Sequence, residues 1–175
     1  MKPGRESFLI AILLLCCAAP LLPQQTRDEA VKGMRKVQPS EMDSSYTQPA
    51  PFAQKLVDEA LNKHPEPLLV AIHAQPPEHG DLIVASNFGR IGKRGDEDDM
   101  RCIRTGKPNL EVNGPHFEVE LALKDSSGRT IGALAVVFNY KPGDDKQRLI
   151  RIAEEIGREM QQQIPDAPRL FAPAN

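Results

Sequence analysis

Apolar and polar positions alternate in two rhythms along the middle of the chain. Phe52, Leu56, Val57, Ala60 and Leu61 recur at helical spacing, while Lys55, Asp58, Glu59 and Lys63 fall on the opposite face. This predicts a helix over 52–62, stopped by Pro65 and Pro67. Residues 68–74 (LLVAIHA) are short, apolar and bounded by prolines, the pattern of a buried strand. A turn at 76–81 leads to a second strand over 82–88, so the two form a hairpin. A polar excursion over 89–107 follows, with a short helix over 96–104 that turns Met100 and Ile103 inward. Its acidic start suits the positive end of the helix dipole, and Gly106 is placed to cap its end.

The period then changes to two. Phe117, Val119, Leu121 and Leu123 alternate with His116, Glu118, Glu120 and Lys124, which predicts a half-buried strand. Residues 125–128 (DSSG) supply a hairpin loop, and the returning strand over 130–140 is apolar on both faces and therefore central. A final helix over 144–164 is capped by Asp144, with Gln147 at the capping-box position, and carries Leu149, Ile152, Ile156 and Met160 as its apolar stripe. Strands that meet through hairpins, with helices at both ends, give an α+β fold built on an antiparallel sheet.

The ends of the chain read differently. Lys2 and Arg5 precede an apolar run from Phe8 through Cys16, Cys17, Ala18 and Ala19, the layout of a secretory signal over 1–23. A spanning helix wants about 20 apolar residues, and Pro20 interrupts this run well before that length. Neither Cys16 nor Cys17 follows a small residue, which disfavours a lipid anchor. The expected location is periplasmic or secreted, with no membrane span after cleavage. Residues 24–50, polar and proline-containing, read as a flexible linker. Residues 51–164 read as the domain, and 165–175, with three prolines, as a disordered tail.

Composition narrows the function classes. A formal net charge of -2 over 175 residues gives no electrostatic case for nucleic acid or an anionic membrane. Aromatic content of 5% and the absence of Trp argue against stacking platforms for bases or sugars. With Cys16 and Cys17 in the signal, Cys102 stands alone in the mature chain, so no internal disulfide can form and burial is its expected fate.

The order of elements and several short motifs resemble the extracytoplasmic PAS-like domains, in particular the single Cache type. The matching residues are Ala85-Ser86-Asn87, Ile91-Gly92-Lys93 leading to Asp96-Glu97-Asp98, and Thr105-Gly106-Lys107-Pro108. The run from Glu118 to Asp125, then Gly128-Arg129 and Ile131-Gly132-Ala133, extends the likeness over nearly all of 51–164. The resemblance implies an antiparallel sheet of about five strands flanked by N- and C-terminal helices, with a cup on one face that binds small metabolites. Members of that family commonly feed an output module across a membrane. This chain shows neither a second membrane segment nor an output domain, so a free-standing binding module with a membrane-bound sensor or receptor as partner is the expectation.

Candidate chemistry was weighed residue by residue against plainer readings. Arg90, Lys93, Arg94, Arg101 and Arg104 surround the excursion, where a guanidinium could clamp a carboxylate. The plainer reading pairs them with Asp96, Glu97, Asp98 and Asp99 on a solvated face. The segment 89–95 (GRIGKRG) lacks the spacing and the Ser or Thr of a phosphate loop. His64, His73, His79 and His116 show no metal-ligand spacing, so no metal and no cofactor are expected. Ser86, Ser126, Ser127 and Cys102 lack the context of a nucleophile. Glu118 and Glu120 stand about 7 Å apart on one strand face, a spacing open to a glycosidase but ordinary for an amphipathic strand.

The sequence therefore points to a non-enzymatic module that binds a small polar metabolite near Ser86, Asn87, Arg90, Arg101, His116, Glu118 and Glu120. The alternative is a protein–protein interaction module whose pocket is filled by its own side chains, with Phe88, Met100 or Phe117 as the plug.

Overall fold

In the computed structural model, Arg27, Met34 and residues 36–175 are described. Helix α1 (Pro51–Lys63) leads into strands β1 (Pro67–Ala74) and β2 (Leu82–Ser86), then helix α2 (Glu97–Thr105). Strands β3 (Asn109–Asn113), β4 (His116–Lys124) and β5 (Thr130–Asn139) follow, and helix α3 (Lys146–Gln163) closes the order. The five strands form one antiparallel sheet in the order β2-β1-β5-β4-β3, with the doubly apolar β5 at its centre as the pattern demands.

Strand register sorts side chains into two faces. Val70, Val136 and Val119 lie abreast on β1, β5 and β4, all fully buried. They meet Leu56 and Val57 of α1 and Ile156 and Met160 of α3, so both long helices cover this face and form the main core. The other face carries Leu69, Ala71, Ile83, Ala135 and Val137 as a smaller apolar floor, roofed by α2 and the loop before it.

Several expectations are corrected. Residues 36–50 are packed where they are described, instead of acting as a loose linker. The Asp43 N–H donates to Gly92 O, the Arg94 N–H donates to Glu41 O, and Tyr46 meets His79 edge-on at 5.4 Å. Gly92 (φ 86°) passes so close to the Tyr46 carbonyl that no Cβ could fit there. These contacts also close the outer edge of β2, where the Ile83 N–H donates to Lys93 O. The tail is ordered as well. Residues Ala167–Phe171 form a 3-10 turn that buries Leu170 completely and lays Arg169 over the Phe52 ring at 3.9 Å.

Smaller shifts have local causes. Strand β2 stops at Ser86, because Asn87 turns its side chain back onto β1. The cap of α3 is Asp145, which accepts from the Arg148 N–H, while Asp144 closes the preceding turn onto Lys141. Its inward stripe adds the fully buried Ala153, with Ile152 half-buried and packed against the same core. In α2 the inward residues are Asp99 and Cys102 instead of Met100 and Ile103. The signal expected over 1–23 lies outside the described residues. Among the described residues, no helix is long and apolar enough to cross a membrane.

Candidate functional site

Register also builds the site. On the face away from the long helices, Ala71 of β1, Ala135 of β5, Glu120 of β4 and Asn109 of β3 stand in one row across the sheet. A neighbouring row reads Leu69, Val137, Glu118 and Glu111. Small side chains at 71 and 135 leave room above the sheet, and carboxylates at 118 and 120 make one wall of that room polar. The result is a cavity of about 300 Å³ between the sheet, α2 and the loop carrying Arg90 and Lys93.

Helix α2 is fixed over this space by its own ends. The Asp96 carboxylate accepts from the N–H groups of Asp98 and Asp99, and Asp99 returns the bond by accepting from the Asp96 N–H at 2.7 Å. Gly106 ends the helix in the left-handed conformation. This double cap holds Asp99 pointing inward, with 5% of its surface exposed.

Asp99 meets two partners inside. His73 Nε2 lies 3.4 Å from one of its oxygens, and Glu120 shares a hydrogen bond with it. On the other side of the ring, His73 Nδ1 stands 3.6 Å from Asp81, too far for a hydrogen bond. Gly132 allows this packing, because a Cβ there would strike the His73 carbonyl. Three buried polar atoms in this cluster have no hydrogen-bond partner: His73 Nδ1, Asp81 Oδ1 and Glu120 Oε1. Buried polar atoms in folded proteins are nearly always paired. His73 Nδ1 and Asp81 Oδ1 face each other at 3.6 Å, which leaves Glu120 Oε1 as the unpaired atom on the cavity side.

The electrostatics follow from burial. Removal from water pushes the Glu120 carboxyl up to about 10, helped by its hydrogen bond with Asp99 and by the nearby charges of Asp99, Glu118 and Asp96. Glu118 is raised for the same first reason, with Asp99 and Glu111 adding and His73 and Arg90 opposing. Burial opposes ionisation of Asp96 too, but Lys93, 3.3 Å away, holds its carboxyl below the ordinary range. Burial likewise pushes the Cys102 thiol up to about 11.

Of the residues singled out in the sequence, Ser86, Arg90, His116, Glu118 and Glu120 line the cavity. Asn87 does not. Its side chain accepts from the Val70 N–H and donates to Leu68 O, both at 3.0 Å, filling in for the strand that β2 no longer supplies. Arg101 does not line it either, but bonds two residues at its rim that do, Asp98 and Asn109, both at 2.8 Å. Arg104 pairs with Glu97 there, as the solvated reading has it, whereas Lys93 and Asp99 are buried. None of Phe88, Met100 and Phe117 lines the cavity. Sequence reasoning missed His73 and Asp99 as site residues. The available signal for His73 was a lone polar residue in a strand otherwise apolar on both faces. Among the described residues, no group of three or more His, Cys, Asp or Glu is arranged to hold a metal ion.

No family model matches the chain, and no curated protein matches it. Solved structures do. The GAF domain of A. aeolicus nlh2 in an inactive state is 11% identical, with 79% of this chain and 90% of that chain covered at a TM-score of 0.50. A GAF sensor protein from Burkholderia vietnamiensis is 12% identical over 83% of this chain and 90% of that chain, TM-score 0.47. The PixJ GAF domain of Thermosynechococcus elongatus, in its blue-light absorbing form, is 12% identical over 64% and 83%, TM-score 0.44. At such identities the likeness is one of fold alone, a GAF/PAS-like α+β fold with an open five-stranded antiparallel sheet and flanking helices.

Proposed function

We propose that this chain is a binding module for a small polar metabolite, held in the cavity between α2 and the open face of the sheet. The observation that carries this reading is a cavity of about 300 Å³ with a buried, unpartnered carboxyl oxygen of Glu120 in its wall. Ligand sites combine an apolar floor with a few polar groups that fix orientation, at volumes of about 300 Å³ upward. Here Leu69, Ala71 and Val137 make the floor, and Glu118, Glu120 and His73 supply the polar groups. The reading includes export to the periplasm or medium, on the basic and apolar start of the chain, and a relation to the Cache type of PAS-like domain. A membrane-bound sensor or receptor is the partner this reading requires to pass the signal on.

Thermal unfolding of the full chain against amines, amino acids, organic acids, purines and sugars tests the binding claim. A ligand at a hundredfold its dissociation constant adds about 2.7 kcal/mol, a shift of several degrees in a domain of this size. Silence across all classes would sink it. One observation favours a second reading, an interaction module: Leu110 and Val112 on the outer strand β3 are 49% and 44% exposed. A strand added to that edge would cover them. Under this reading the panel is silent and Val112→Lys abolishes association with a partner chain.

A further inference from the structure

The cavity wall is unbalanced in charge. Six carboxyl groups line it (Asp96, Asp98, Asp99, Glu111, Glu118 and Glu120), of which Glu120 keeps its proton and Asp98 is paired with Arg101 at 2.8 Å, against two permanent cations, Lys93 and Arg90. Lys93 is already engaged by Asp96 at 3.3 Å, and the Arg90 guanidinium lies over the Phe88 ring at 5.3 Å. A clamp for a ligand carboxylate would need cations to spare, and this wall has carboxylates to spare. An acidic cluster alone could be a solvated surface, but this one is not. Glu120 is 4% exposed, lines the cavity, and its Oε1 has no hydrogen-bond partner. A group with several N–H donors and a positive charge would satisfy that oxygen and relieve the repulsion among its neighbours. The carboxylates do not converge into a metal-ligand set among the described residues. The floor of Leu69, Ala71 and Val137 is aliphatic and offers no aromatic stacking surface.

Resting on the reading of the cavity as a small-molecule site, we infer that its ligand is a small organic cation: a primary amine on a short aliphatic body, with the ammonium against Glu118 and Glu120 and the carbon chain on Leu69 and Val137. Lys93 and Arg90, which line the same cavity, disfavour a second positive charge placed beside them.

Calorimetric titration of the full chain with butane-1,4-diamine, with succinate, with adenine and with manganese chloride tests this. The diamine is expected to bind, and Glu118→Gln to weaken it by at least about tenfold, with Glu120→Gln, which matches the protonated acid, weakening it less. Glu111→Gln, on the exposed outer strand, leaves folding untouched and weakens binding by about two- to threefold through its longer-range charge. Folding of each variant is read from its unfolding midpoint. Binding of succinate or adenine with the diamine silent would overturn the inference and leave the small-molecule site standing. Binding of manganese alone would overturn it in favour of a metal site. Diamine binding unaffected by all three substitutions would place the amine elsewhere and overturn it. Silence of all four probes would overturn both this inference and the reading on which it rests.

Discussion

Glu120 is held between two other carboxylates, Asp99 from α2 and Glu118 from its own strand, under a roof that excludes water. Cys102 of α2 and Asp96 of the preceding loop complete the titratable groups acting there, with His73 beyond Asp99. Burial raises its carboxyl from an ordinary 4.5 to about 10, so the folded state keeps a proton that the unfolded chain releases between those values. The sign follows: this contribution to stability is complete below about pH 4.5 and is lost as pH rises towards 10. Urea unfolding at pH 5, 7 and 9 should show falling stability. Glu120→Gln, which keeps a donor for Asp99 without a titrating proton, should flatten that fall and be more stable at pH 9 by on the order of 1 kcal/mol. Asn87 lies close by but does another job. Asn87→Ala strips two backbone partners from β1 and should cost about 1–2 kcal/mol in the same assay, with no change in ligand affinity.

At the scale of elements, the tail and the roof carry the tests. Leu170 is fully buried beside α1, so Leu170→Ala should cost about 2–4 kcal/mol, read from the denaturant midpoint. A disordered tail would give no change. Cys102 is buried and its thiol is raised to about 11, so a thiol reagent should label it only after denaturation. Labelling of the native chain at the rate of a free thiol would show that α2 does not roof the sheet as described.

The same elements show what the sequence could and could not disclose. Helix α1 and strand β4 were legible because each has one apolar surface that must be covered, and period then fixes the face, while β5 was legible as central because both its faces are apolar. Helix α2 was placed along the chain correctly by Asp96 and Gly106, yet its rotation was misjudged. Apolar residues were assumed to point inward, but the space beneath α2 is polar, so Asp99 turns in and Met100 and Ile103 lie half-exposed. The 36–50 segment was missed for another reason. It is held chiefly by backbone groups of residues 92–94, and backbone pairing leaves no mark on side-chain pattern. In the tail, prolines suggested disorder, although Pro at the start of a 3-10 turn is compatible with order. Of the candidate site, the pleat gave Glu118 and Glu120 directly. His73 and Asp99 join them only through the fold, from positions 19 to 47 residues away in the chain.

The whole molecule is two-sided. Both long helices and the main core lie on one face of the sheet, with a groove between the helices at Leu56, Ile156 and Met160. The other face holds a thin apolar floor, a short capped helix and a polar space. Under the proposed function, this asymmetry puts stability on one side and recognition on the other. The most direct test is an amide NMR titration of the full chain with butane-1,4-diamine, and in parallel with succinate. The account predicts shifts confined to the cavity face, at Leu69, Ala71, His73, Asp99, Glu118, Glu120 and their neighbours. Shifts centred on α1 and α3 or on the outer edge of β3, or no shift with either probe, would contradict it.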